Sequence, residues 1–351
     1  MGSPPAGSSG ADAARADSPD AGASPGTGAR RAPSRRAVLV AGGVLAAAGA
    51  VAGGYGLVQA GALPGKYQLA SALGECGAPP PVPTGPRPIA RVAEFWSAYR
   101  KQTVRMVTLM PPAAERANRI SLAVALHGTG GDAVGMAQEV GPAMTAAGIG
   151  SLAVVTVDGG NTYWHKRADG DDPVGMILHE VLPRAAAAGL PIGRIGLVGQ
   201  SMGGYGALLL AARLSASAAA STDEPTAGPS AGGLASATNA GQPTAAVVAA
   251  LSPAIFATYA NARSANVGAF DGPADFAANQ LQTRLTALRR VPAWIGVGSN
   301  DPFEAQVAAL RGKLARLTGH ELPGGILPGC HDAAFFERTM PVALRYLAGQ
   351  L

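Results

Sequence analysis

Ser201, Asp301 and His331 are the residues of this chain whose types and order suit nucleophilic catalysis. A serine hydroxyl attacks a carbonyl carbon only when a histidine takes its proton, and that histidine needs a carboxylate to fix its tautomer. Ser201 stands in Gly199-Gln200-Ser201-Met202-Gly203, between the apolar run Ile195 to Val198 and the small-residue helical pattern Tyr205 to Leu214. G-x-S-x-G between a strand and a helix places a serine on a sharp turn with its hydroxyl over the end of a sheet. So tight a turn crowds the positions two before and two after the serine, and glycine at 199 and 203 removes the collision. The helix N-terminus that follows favours developing negative charge. The competing reading is a nucleotide-binding turn, but neither G-x-x-x-x-G-K-[ST] nor G-x-G-x-x-G occurs in this stretch.

The base and the acid should follow the serine in the order acid, then histidine. Only His320 and His331 lie beyond Ser201. His331 sits in Pro328-Gly329-Cys330-His331-Asp332, after a weak apolar stretch (Leu322 to Leu327) and before the helical pattern Ala333 to Leu347. That is a strand-to-helix loop, at the end of the sheet where the base is needed, whereas His320 precedes the stretch. For the acid, the run Ala293 to Val297 leads into Gly298-Ser299-Asn300-Asp301-Pro302-Phe303. Asp301 therefore follows a strand, where open α/β sheets place their chemistry. An Asp-Pro pair is also a good helix cap, so the catalytic role rests on Ser201 upstream and His331 downstream. Asp271, Asp275 and Glu304 are the other acids near enough to compete, and none follows a strand. Two backbone donors complete such a site: the N–H of Met202 and one from His127-Gly128-Thr129-Gly130-Gly131, here Thr129. His127 reads as a packed or orienting residue.

The elements that must position these groups alternate along the chain. Strand-like runs are Val104 to Met110, Ser121 to Leu126, Leu152 to Val157, Ile195 to Val198, Ala245 to Leu251 and Ala293 to Val297. Helical patterns lie between them, such as Phe303, Val307, Leu310, Leu314 and Leu317. Short apolar strands separated by helices predict a mostly parallel sheet with helices on both faces. Tyr163 and Trp164, soon after the third strand, read either as a wall of the substrate pocket or as structural aromatics under a loop. Residues 252–290, with Phe256, Tyr259, Phe270 and Phe276, are placed to form a small cap with an apolar lining.

The elbow Gly-Gln-Ser-Met-Gly-Gly-Tyr-Gly-Ala, the Asp-Pro-Phe at 301–303 and the His-Asp-Ala-Ala-Phe-Phe at 331–336 resemble the α/β-hydrolase serine esterases. Within these, the group containing esterase D, feruloyl esterases and the mycolyltransferases is the most similar, over about Ile120 to Leu347, in pieces. The resemblance implies the α/β-hydrolase fold, a Ser201–His331–Asp301 triad and Thr129 and Met202 amides as oxyanion donors. One departure is Cys330, because that group usually has glycine before the histidine.

The rest of the chain frames this domain. Beyond Met1, residues 1–33 hold no large apolar side chain and are expected to be disordered. Ser34-Arg35-Arg36 and the uncharged Ala/Gly/Val stretch behind it, over 34–62, read as a twin-arginine export signal or an uncleaved membrane anchor. Residues 63–88 read as a proline-rich linker, 89–351 as the hydrolase domain and 215–244 as a disordered insertion. An exported protein, secreted or held at the outer face of the cell membrane, allows Cys76 and Cys330 to pair, though two buried thiols fit the sequence as well. The two cysteines have no metal-ligand spacing, so zinc binding through thiolates is unsupported; no metal and no cofactor are expected. The charge balance of +5 is mild and unclustered, which leaves no nucleic-acid footprint. The expected activity is hydrolysis of a small ester or an acyl-lipid or acyl-carbohydrate substrate. Acyl transfer by the same triad and a catalytically silent envelope-binding protein are the rival readings.

Overall fold

Branched apolar runs buried on both faces form the centre of the molecule, as parallel strands covered by helices must. In the computed structural model the described residues are 66–112, 119–222 and 243–351. The expected tail 1–33 and export segment 34–62 lie outside them. Among the described residues no helix is long and apolar enough to cross a membrane.

The described elements begin with α1 (Lys66–Ala72), β1 (Ile89–Ser97), β2 (Gln102–Met110), β3 (Ser121–Leu126), α2 (Ala133–Ala147) and β4 (Leu152–Val157). A helix α3 follows, made of Pro173–Met176, a π-turn at Ile177–Val181 and Leu182–Ala187, and then β5 (Arg194–Gln200), α4 (Met202–Thr222) and β6 (Thr244–Leu251). The short helices α5 (Tyr259–Ala265), α6 (Pro273–Ala278) and α7 (Leu285–Leu288) lead to β7 (Ala293–Asn300), α8 (Glu304–Thr318), β8 (Gly324–Cys330) and α9 (Ala333–Gln350). The eight strands form one sheet in the order β1-β2-β4-β3-β5-β6-β7-β8. β1 and β2 are antiparallel to their neighbours, and the strands from β4 to β8 are parallel.

Each face of the sheet has its own core. On one, Met136, Val140 and Met144 of α2 meet Phe335, Leu344 and Leu347 of α9. On the other, Leu208 and Leu210 of α4 pack with Ile177 and Leu182 of α3 and with Val307, Leu310 and Leu314 of α8. The expected parallel sheet, covered on both faces, is the one observed.

Three boundaries differ from the sequence reading. Residues 66–88 are not a free linker: the compact unit spans Leu63–Leu351, and α1 with the extended chain behind it belongs to that unit. Helix α4 runs through Thr222, into the expected insertion, because alanine-rich sequence sustains a helix without an apolar stripe. Residues 223–242 of that insertion lie outside the described residues, and Thr244 already starts β6. β1 is an additional edge strand whose side chains are mostly exposed on both faces, so no buried alternation announces it.

Candidate active site

The turn at Ser201 has the geometry its glycines imply. Ser201 is held at φ +53°. Its N–H donates to the carbonyl of Leu251 at 2.9 Å, and its own carbonyl accepts from Tyr205 at 3.1 Å and Ala254 at 3.0 Å. A Cβ on Gly199 would overlap the backbone of Gly203 and Gly204, and one on Gly203 would overlap the carbonyls of Leu126 and His127. The two glycines thus let the start of α4 lie against the ends of β3 and β5.

The other two groups arrive at the same end of the sheet. Asp301, fully buried, follows β7, and His331 follows β8. His331 Nδ1 donates to Asp301 Oδ2 at 2.8 Å, which leaves Nε2 to accept from Ser201 Oγ at 2.9 Å. The other carboxylate oxygen, Oδ1, accepts from the Phe303 N–H at 2.8 Å. Asp301 therefore both caps its turn and orients the imidazole. Phe303 and Phe336 pack edgewise against the His331 ring, with centroids 5.2 and 5.4 Å away. The competing acids are engaged elsewhere: Asp275 accepts from buried His165 at 2.9 Å, and Asp271 pairs with Arg167. His320 is exposed and faces the carbonyl of Glu321.

Behind the serine, the glycine loop after β3 is braced by the loop after β4. His127 is buried, and its Nε2 accepts from the Gly159 N–H at 2.9 Å while Nδ1 meets the Gly128 carbonyl at 2.8 Å. The imidazole is therefore the neutral Nδ1–H tautomer, and burial holds its pKa below the ordinary value. His127 is an orienting residue, as the sequence implied. Asn161 Oδ1 accepts from the Gly130 N–H at 2.7 Å. Thr129 lines the cavity beside Ser201, and Met202 opens α4, where the first backbone N–H groups have no partner within the helix.

Tyr163 and Trp164 have different fates. Both occupy left-handed backbone, at φ +51° and +53°. The Tyr163 phenol lines the cavity together with Thr129 and Asn266; burial raises its pKa, and those two polar neighbours oppose the rise. Trp164 does not line the pocket. It is fully buried beneath the loop, its indole N–H donating to the His127 carbonyl at 3.1 Å, in space that glycine at 159 and 206 leaves open.

The cavity over Ser201 measures about 560 Å³, and its lining includes Phe303, Phe336, Asn161, Tyr163 and Asn266. Asn266, the C-cap of α5, and Asn161 were not singled out by sequence reasoning, because nothing local distinguishes a loop asparagine that faces a cavity. Phe303 and Phe336 had a usable signal, lying two residues after the acid and five after the base. The region 252–290 does supply the aromatic cluster beside the site: Phe256 and Phe270 contact Tyr163. Of the two states the sequence allowed for the cysteines, the structure has the bridge, joining Cys76 to Cys330.

No protein-family model matches this chain, and no curated protein sequence matches it significantly. Solved structures do. A ferulic acid esterase superposes with a TM-score of 0.56 at 16% identity, over 76% of this chain and 99% of that one. The S-formylglutathione hydrolase of Agrobacterium tumefaciens gives 0.55 at 14% identity, covering 76% and 97%. MPT51 of Mycobacterium tuberculosis gives 0.55 at 14%, covering 76% and 99%. The fold is that of the α/β-hydrolases.

Proposed function

We propose that the chain is a serine carboxylic-ester hydrolase working through an acyl-enzyme. The observation that carries this reading is the continuous relay from Asp301 through His331 to Ser201, with hydrogen bonds of 2.8 and 2.9 Å. Ser201 Oγ attacks the ester carbonyl as His331 Nε2 takes its proton, and Asp301 stabilises the imidazolium that forms. The N–H groups of Thr129 and Met202 receive the oxyanion; one such donor is worth about 3–4 kcal/mol of barrier. His331 then protonates the departing alcohol, and water, activated by the same base, releases the acid from Ser201.

The cavity lining supports an uncharged ester. Apart from His331, the residues that line it carry no ionisable group but the Tyr163 phenol, so a charged substrate would be desolvated without a partner. The paired Arg35-Arg36 ahead of an apolar stretch supports export, and a cystine within the folded unit suits an oxidising compartment.

Turnover of short-chain p-nitrophenyl esters by purified protein tests the proposal. Ser201→Ala is expected to lower kcat by about 10⁴-fold or more. Undiminished turnover by that variant contradicts it. Following the acid released with and without an added alcohol separates hydrolysis from acyl transfer.

A further inference from the structure

The strand that leads into His331 loses its regular register at its end. Pairing of β8 with β7 becomes irregular between Gly298 and Asn300, directly opposite the segment that ends at Cys330. Gly329 lies at φ +146°, in backbone that only glycine adopts readily, and a Cβ there would meet the Phe335 ring and the Arg338 guanidinium. External support comes from the segment ahead of the sheet, at two points. Cys76 is bonded to Cys330, the residue immediately before His331, and the cystine is buried against Ala70 of α1. Arg338, on α9, donates through Nη1 to the Ala78 carbonyl at 2.8 Å and through Nη2 to the carbonyls of Cys76 and Pro328 at 3.1 and 3.2 Å. One guanidinium thus clasps the same two segments that the disulfide joins. Tyr67 of α1 also lies within electrostatic reach of Asp301 and Glu304.

We propose that the Cys76–Cys330 bridge and Arg338 are positioning elements for His331, so that residues 66–78 form part of the catalytic apparatus. The inference rests on His331 being the base. Neither Cys76 nor Arg338 lines the cavity, so their contribution is to the alignment of Nε2 with Ser201, and it should be read in kcat.

The test compares full-length protein with Cys76→Ser and Arg338→Ala variants on p-nitrophenyl acetate, with the rate of fluorophosphonate labelling of Ser201 measured beside turnover. Misplacement of a catalytic group by about 1 Å costs up to about 10²-fold, so Cys76→Ser is expected to lose about 10- to 100-fold in kcat, with KM within about twofold and labelling slowed in parallel. Arg338→Ala should fall the same way but less, and Arg338→Lys should recover part of the loss. Dithiothreitol gives a second route to the same state: the dithiol closes to its cyclic disulfide, the S–S bond breaks, and Cys76 and Cys330 each gain an electron and a proton. A bridge-free protein that keeps its kcat overturns the proposal. So does loss of activity accompanied by unfolding in circular dichroism, because the bridge then holds the fold and not the base. An oxidised protein that neither turns over nor labels at Ser201 tells instead against the triad.

Discussion

Asp301 is fully buried and spends both carboxylate oxygens, one on the Phe303 amide and one on His331 Nδ1. With that proton fixed on Nδ1, Nε2 is free to accept from Ser201. Asparagine at 301 can turn its amide N–H toward Nδ1 and drive the proton to Nε2, where it opposes attack. Asp301→Asn is therefore expected to lower kcat by about 10⁴-fold, with the circular dichroism spectrum unchanged. Two other histidines bear on stability. Burial holds His127 and His165 below the ordinary value near 6.5. The unfolded chain therefore takes up these protons before the folded one does, so stability is full above about pH 6.5 and falls as pH drops toward the folded values. A thermal melt series from about pH 8 to pH 5 should show Tm declining over the acid half, with a flatter slope in His127→Gln. At this scale the meeting of Ser201, His331 and Asp301 was legible, because G-x-S-x-G and the order acid then histidine restrict the choice to a few residues. Trp164 was not, since a left-handed turn decides which of two neighbouring aromatics faces the cavity and which goes beneath the loop.

Among the elements, the elbow between β5 and α4 is the most constrained. Gly203→Ala would press a methyl group into the Leu126 and His127 carbonyls, where backbone on both sides prevents relief. Overpacking of this kind costs about 1–3 kcal/mol, and a fall in the urea midpoint together with loss of esterase activity is the expected outcome. The loop over Trp164 has the opposite dependence. Trp164→Ala empties a fully buried site and takes the donor from the His127 carbonyl, so a loss of about 3–5 kcal/mol in the same urea unfolding measurement is expected. The central strands were legible because side chains such as those of Leu152 to Val157 are buried on both faces and must read as an unbroken apolar run. β1 was not, because an exposed edge strand needs no such pattern. The end of α4 was misjudged for a related reason: alanine and serine carry a helix as well as they fill a loop.

For the whole molecule, the compact unit beginning at Leu63 includes a helix and an extended segment that composition alone marks as a linker. Proline-rich chain laid across a folded surface and proline-rich chain in water have the same composition; the Cys76–Cys330 bond, 254 residues apart in sequence, tells them apart. Bridges closing loops of this length contribute about 2–5 kcal/mol. A chain starting at residue 63 should accordingly match the Tm of full-length protein, and one starting at residue 89 should melt well below it. The fold is shared with structures at 14 to 16% identity, so the account of activity depends on the site and not on the fold. Treatment of the purified protein with a fluorophosphonate probe, followed by peptide mapping, tests that site most directly. A single adduct on Ser201, absent from Ser201→Ala and slow to form in His331→Ala, is the predicted result. Folded protein that takes no adduct, or a Ser201→Ala variant that still labels and still hydrolyses esters, would contradict the account.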